Sequence, residues 1–396
     1  MTGAIATNRK VELKELTAVR GFAALAVVIF HVDSYCGEPL QSLFPIDLVG
    51  MLAVDFFFVL SGFVLAHVYQ AAWDRGDYSH GDFLVRRFAR VWPLHFACLM
   101  GIGFIVLAGG YLGMRPPWQP DLPSFMSHLF LLNATGVSSE LSWNQPSWSV
   151  GAEWTAYLLF PLYLIICSTI RPAWANLAIS VGLLVTLHIA VKWVAGLELL
   201  ELNANGGSIR IVPSFFAGIA LRQVYGGGIG ASISRQMLCA LLVATLLTGL
   251  LLLAFGAPSL ALWPVIPALI YLLALQARHE GHFALRARAL TWLGEVSYGL
   301  YLVHSLVLMV VFGVAGKLIG LQSPVTTFAI GAGSIVLAVL AAAIAHYAIE
   351  RPAQALILKW SKRRKHRALL AANSVVEGQL DRGPAVYQFS GTVGRK

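Results

Sequence analysis

Apolar positions gather into ten runs, near residues 19–35, 48–69, 91–112, 146–168, 174–194, 208–224, 236–255, 258–277, 289–314 and 325–349. Each approaches the roughly 20 residues that an α-helix needs to cross the hydrocarbon layer of a bilayer. The run at 208–224 has the weakest pattern. The longest stretch between runs, 113–145, opens with Pro116 and Pro117 and holds the apolar string FMSHLFLL (125–132), which predicts a short helix lying along the interface. Periodicity fades beyond about residue 370. The pattern predicts an all-α polytopic membrane helix bundle of about ten transmembrane helices. A short N-terminal segment (1–18) precedes the transmembrane domain (19–352), and a basic tail (353–396), expected to be flexible, follows it.

The first run contains polar positions that hydrophobicity does not explain. Arg20 and His31 stand eleven residues apart, which at about 100° and about 1.5 Å per residue puts them on one helix face, about 16 Å apart along the axis. Ala24 and Val27 lie between them on that face and are small enough to leave a groove. Polar groups so placed in a spanning helix should face a protein interior or a water-filled path rather than lipid.

Composition excludes a soluble globular protein: 58% of residues are hydrophobic and 12% charged, and mean hydropathy is +0.72. Charge sets the topology. With the N-terminus cytoplasmic, 24 of the 28 lysines and arginines fall on the inner side, leaving Arg115, Lys192, Arg210 and Lys317 outside. The net charge of +9 is then mostly a topology signal. The cluster KRRKHR (362–367) reads as a contact with anionic membrane lipids rather than with nucleic acid. Cys36, Cys98, Cys167 and Cys239 lack the spacing of a metal site, so neither a metal nor a disulfide framework is expected. The first run is read as a span and not as a signal peptide, because the mixed-charge VELKEL (11–16) precedes it and no small-residue cleavage site follows.

Ionisable side chains inside a membrane are costly and therefore informative. Asp55 lies in the second run and Glu153 in the fourth, with Tyr157 one turn further. Ser297, Tyr301 and His304 fall at i, i+4 and i+7 in the ninth. Counted by helix rise, His31, Asp55, Glu153 and His304 should lie within one or two turns of common depth, with Asp55 or Glu153 able to orient His31. Other readings stay open: Asp55 as a structural partner of His31, Glu153 as a satisfied buried carboxylate, and His304 as a hydrogen bond between helices. Arg86, Arg87 and Arg90 cluster where the chain enters the third run, on the same side as Arg20. Guanidinium forks suit phosphates, although a topology signal with lipid contacts would leave the same cluster.

Six strings in series, RGFAALAVVIFH (20–31), DFFFVLSGF (55–63), FLVRRFARVWP (83–93), SWSVGAEW (147–154), VSYGLYLVH (296–304) and AIERP (348–352), resemble the membrane-bound acyltransferase-3 family in order and spacing. The resemblance implies a ten-helix enzyme of the cell inner membrane that acylates sugars of surface polysaccharide, lipopolysaccharide or exported oligosaccharide, usually from acetyl-CoA. Carried over, the family's essential Arg and His are Arg20 and His31, its arginine motif is Arg86 and Arg90, and its acidic residue is Glu153. Ser61 lies in the matching string of the second run.

Together these give an expected O-acyltransferase using acyl-CoA as co-substrate and no permanently bound cofactor. His31 would act as general base or acyl carrier, supported by Arg20, Asp55 and Glu153. Arg86, Arg87, Arg90 and Ser61 would hold the donor, and Tyr157, Tyr301, His304 and Trp148 a glycan or glycolipid acceptor. A proton-coupled exporter of an anionic solute is the competing class. It is disfavoured because the two halves of the chain show no matched glycine or proline interruptions.

Overall fold

The computed structural model describes residues 13–111, 113, 116, 118–137, 140–279, 283–320 and 323–380. Arg9, Lys10, Arg115, Pro117 and residues 381–396 lie outside the described residues. In chain order the helices are α1 (Lys14–Tyr35), α2 (Ile46–Asp74), α3 (His80–Tyr111), the short α4 (Leu122–Leu129), α5 (Trp148–Leu158), α6 (Phe160–Thr169), α7 (Ala173–Ala195), α8 (Gly207–Gly226), α9 (Arg235–Ala254), α10 (Ser259–Leu262), α11 (Val265–Gln276), α12 (Arg288–Glu295), α13 (Ser297–Leu318), α14 (Pro324–Ala345) and α15 (Arg351–Leu380). No strand occurs among the described residues.

Eight of these helices are long and apolar enough to cross a membrane, counting α10 with α11 and α14 with its continuation; α5 and α6 make a ninth if taken as one span. The remaining expected run is α8, a 20-residue helix whose polar side chains keep it out of that count. It is instead one of the most enclosed elements, with buried Arg210, Ser214, Phe215 and Phe216. The expected interfacial helix is α4, capped by the Asp121 carboxylate, which accepts from Ser124 N at 2.7 Å. The last helix continues through a π-helical turn at His346–Glu350 into α15, so the segment expected as a tail is helical as far as Leu380.

Burial orders the bundle. In α2 61% of the apolar stretch is buried, against 11% in α7 and α9, so α2 is central and the other two lie at the periphery. The tight contact of α2 with α8 rests on Gly62 and Gly218, where an added Cβ would collide with the backbone at Phe215 and Val59 respectively. Gly294 of α12 meets the Thr17 carbonyl of α1 in the same way. Small residues at such crossings let backbones approach and gain van der Waals contact, the main driving force between helices in lipid.

The crossing begun by α5 bends by 51° into α6. Pro161, in the first turn of α6, has no N–H to continue the ladder and crowds the preceding carbonyl. This break ends α5 just after Tyr157. Gly218→Val should lower the thermal unfolding midpoint in detergent by the equivalent of about 3 kcal/mol or more, because neither backbone can yield. An unaltered midpoint would show that α2 and α8 do not pack this closely.

Candidate active site

The bend leaves α5 short, with Ser149, Glu153 and Tyr157 on one face at four-residue steps. That face closes a cavity of about 160 Å³ together with Arg20 of α1, Phe57 and Ser61 of α2, Arg87, Arg90 and Val91 of α3, and Ser297, Tyr298 and Tyr301 of α13. The Glu153 carboxylate accepts from Tyr157 Oη at 2.8 Å. Ser61 lines the same cavity, and Arg20 and Arg87 are the positive charges that act on Glu153. Arg90 forms an ion pair with Glu350, whose carboxylate also meets His346 Nδ1 at 3.2 Å across the π-helical turn. The Arg90 guanidinium lies 5.5 Å from the centre of the Tyr298 ring, and Tyr298 donates to Val91 O at 2.5 Å. At the other end of the cavity Tyr301 accepts from Ser149 at 2.7 Å and donates to Pro146 O at 3.1 Å.

The two histidines lie one aromatic ring beyond this cavity. Tyr301 is 6.2 Å from the His304 ring, and the His31 and His304 rings are 4.9 Å apart. Each Nδ1 contacts the carbonyl one turn back in its own helix: His31 with Val27 O at 2.8 Å and His304 with Leu300 O at 3.0 Å. A carbonyl can only accept, so both Nδ1 atoms carry the proton and both Nε2 atoms keep a lone pair. His304 is fully buried, and among the described residues its Nε2 has no hydrogen-bond partner.

Asp55 is not with them. It is fully enclosed between α2 and α8, where Arg210 Nη2 and Nε donate to its Oδ2 at 2.6 and 3.2 Å and Ser214 donates to Oδ1 at 3.2 Å. Trp263 Nε1 in turn donates to Ser214 at 2.9 Å, and the Arg210 guanidinium lies 5.2 Å from the Trp148 ring centre. On a helix, position 55 points some 200° away from Phe57, so the cavity and Asp55 occupy opposite sides of α2. The expected pairing of Asp55 with His31 is therefore corrected. Arg210, counted among the external cations, is its buried partner.

Of the residues expected to form a site, the fold brings Arg20, Ser61, Arg87, Arg90, Glu153, Tyr157 and Tyr301 around one cavity and sets His31 beside His304. Three others, Asp55, Arg86 and Trp148, are elsewhere. Arg86 is exposed, because its neighbours at Arg87 and Arg90 occupy the inward face of α3. Trp148 packs edge-on to Phe58 and against Arg210, outside the cavity lining. Glu153 lies at the depth of Arg20 rather than of His31, so the expected common layer of two imidazoles and two carboxylates does not form. The groove expected beside Ala24 and Val27 is filled: both are buried, Ala24 within a cluster of Val28, Leu300 and Ala342. Ser149, Tyr298, Glu350 and Arg210 were missed. The first three stand inside strings already noted in the sequence, but their polarity alone did not separate them from ordinary core residues.

The acyltransferase-3 family model, described as an acyltransferase domain, matches residues 13–344. The chain is 30% identical to the acyltransferase MdmB of Streptomyces mycarofaciens, over 88% of this chain and 93% of that protein. It is 27% identical to the exopolysaccharide production protein ExoZ of Rhizobium meliloti, over 82% and 95% of the two chains. A shorter match, 26% identical over 43% of this chain and 26% of the other, is to the putative peptidoglycan O-acetyltransferase YrhL of Bacillus subtilis. No solved structure matches.

Losing one partner of a buried ion pair strands the other charge, so Arg210→Met should cost about 3–5 kcal/mol of stability. Combining it with Asp55→Leu should recover most of that loss, read from unfolding midpoints in the same detergent. A catalytic Asp55 would instead appear as an Asp55→Asn protein of unchanged stability that transfers no acyl group.

Proposed function

The chain belongs to the acyltransferase-3 family, and from that premise we propose that it moves an acyl group, most simply acetyl, from acyl-CoA on the cytoplasmic side of the inner membrane to a hydroxyl of a sugar-containing acceptor. The observation that carries this reading is the convergence of Arg20, Arg87 and Arg90 from two helices on one cavity, with a tautomer-fixed histidine further along the helix that holds Arg20. Guanidinium groups bind phosphate oxygens bidentately, and an acyl-CoA is a thioester tied to a phosphate-rich head. The excess of cations at the Arg20 end supports entry of that head from the cytoplasm. The acceptor class follows the relatives named for exopolysaccharide production and peptidoglycan O-acetylation.

In this reading the three arginines and Ser61 hold the donor, while Glu153 and Tyr157 order the guanidinium groups around it. The thioester reaches past Tyr301 to His31, whose Nε2 lone pair is the reactive nitrogen. A sugar hydroxyl is a poor nucleophile at neutral pH, and a placed imidazole typically contributes about 10² to 10⁴-fold in rate. The acceptor arrives from the opposite side, so the reaction carries the acyl group across the bilayer.

His31→Ala, inserted and folded as the wild type, should abolish acylation of surface glycans measured by mass spectrometry; glycans that keep the acyl mass would overturn the assignment. Arg87→Ala and Arg90→Ala should each raise the KM for acetyl-CoA about 10- to 100-fold, the range for losing a hydrogen bond to a charged group. Arg86→Ala, on the exposed face of α3, should leave it unchanged. Equal effects at all three positions would point to topology or lipid contact instead of a donor site.

A further inference from the structure

We propose that His31 and His304 divide the reaction between them: His31 Nε2 becomes acylated, and His304 Nε2 is the catalytic base that activates the acceptor hydroxyl against the acyl-His31. The inference rests on the acyl-CoA reading above and adds a second catalytic residue and a covalent intermediate to it.

Three features carry it. Both imidazoles are locked in the same tautomer by a carbonyl of their own helix, 2.8 Å from His31 and 3.0 Å from His304. Each therefore presents an unprotonated Nε2. The two rings are 4.9 Å apart on different helices, α1 and α13, in van der Waals contact, so a hydroxyl at the shared edge of the two imidazoles can lie beside both. Finally, His304 Nε2 is enclosed without a hydrogen-bond partner among the described residues, and leaving a buried acceptor unpaired costs about 1–3 kcal/mol. Direct transfer needs one base and gives the second lone pair no task. Two-step transfer needs a nucleophile and a base, which is the pair observed.

The steps balance. His31 Nε2 attacks the thioester carbonyl, the C–S bond breaks, and the CoA thiolate leaves toward the guanidinium groups of the cavity, leaving an acyl-imidazolium that still carries its Nδ1 proton. His304 Nε2 then takes the proton of the acceptor hydroxyl as its oxygen attacks the acyl carbon. The C–N bond breaks, His31 returns to its neutral form, and the proton on His304 passes to the thiolate or to water. His31, partly accessible, meets the donor first. His304 is buried behind it and is used only once an acceptor reaches the edge the two rings share.

Isotope exchange separates the two halves without an acceptor. Purified protein in phospholipid nanodiscs is given acetyl-CoA and isotopically labelled CoA, and label entering acetyl-CoA is followed; transfer is measured separately on chemically de-O-acetylated surface polysaccharide from the producing cells. Wild type should exchange, and His31→Ala should not. His304→Gln and His304→Asn should exchange within about threefold of wild type while their transfer to polysaccharide falls about 10²-fold or more. The dyad is overturned by a wild type that transfers without exchanging, by His304 variants that transfer at the wild-type rate, or by folded His304 variants that lose exchange as well. A folded wild type that neither exchanges nor transfers overturns the acyl-CoA reading itself, and the dyad with it.

Discussion

A charge in the hydrocarbon layer must find its partner inside the protein, because neither lipid nor water is there to solvate it. This constraint explains why the polar residues of the bundle occur as cross-helix pairs. Asp55 of α2 is held by Arg210 of α8, and Arg90 of α3 by Glu350 beyond α14. Near the start of α1, Glu15 is held by Arg286 at 2.6 Å. Each pair ties together helices distant in sequence, and each is directional where apolar contact is not. Such pairs fix the rotation of a helix about its own axis, and rotation decides which residues face the cavity.

Two further devices refine that arrangement. Glycines at Gly62, Gly218 and Gly294 let helix backbones touch, drawing α2 against α8 and α12 against α1. The break between α5 and α6 shortens the helix that carries Glu153 and Tyr157, and the π-helical turn sets Glu350 behind Arg90. A π-turn inserts one residue into an α-helix and re-aims the side chains around it, which is why such turns gather at functional sites. Regular helices alone would leave the arginines of α1 and α3 without a matched set of partners.

The proposed chemistry uses both ends of α1. Arg20 belongs to the cavity that would hold a donor, and His31 to a pair of imidazoles about 16 Å further along the same rigid rod. Between them Ala24 and Val27 are packed, so the path from donor to histidine runs past Tyr301 and Phe57 rather than along α1 itself. Tyr301, with its hydroxyl held by Ser149 and Pro146, separates the two regions and makes the reach of the thioester a matter of geometry.

Much of this was legible in the residues alone. Hydrophobic periodicity located every long apolar helix, because a spanning segment must be apolar over a length the bilayer sets; the 30-residue α15, which is polar, gave no such signal and read as a flexible tail. The cost of burying charge marked Arg20, His31, Asp55, Glu153 and the arginines of α3 as special. What one dimension could not supply was azimuth and partner. Asp55 and Phe57 are two residues apart, yet they face opposite sides of α2. Arg86 and Arg87 are adjacent, yet only Arg87 meets the cavity. Glu153 counted from the expected outer end of its run falls at the wrong depth, because α5 starts inside the bundle, with Asn144 and Ser147 already fully buried. Length and polarity are properties of a segment and can be read from it; pairing is a property of two segments brought together, and only the packed bundle decides which of many buried polar groups becomes a neighbour.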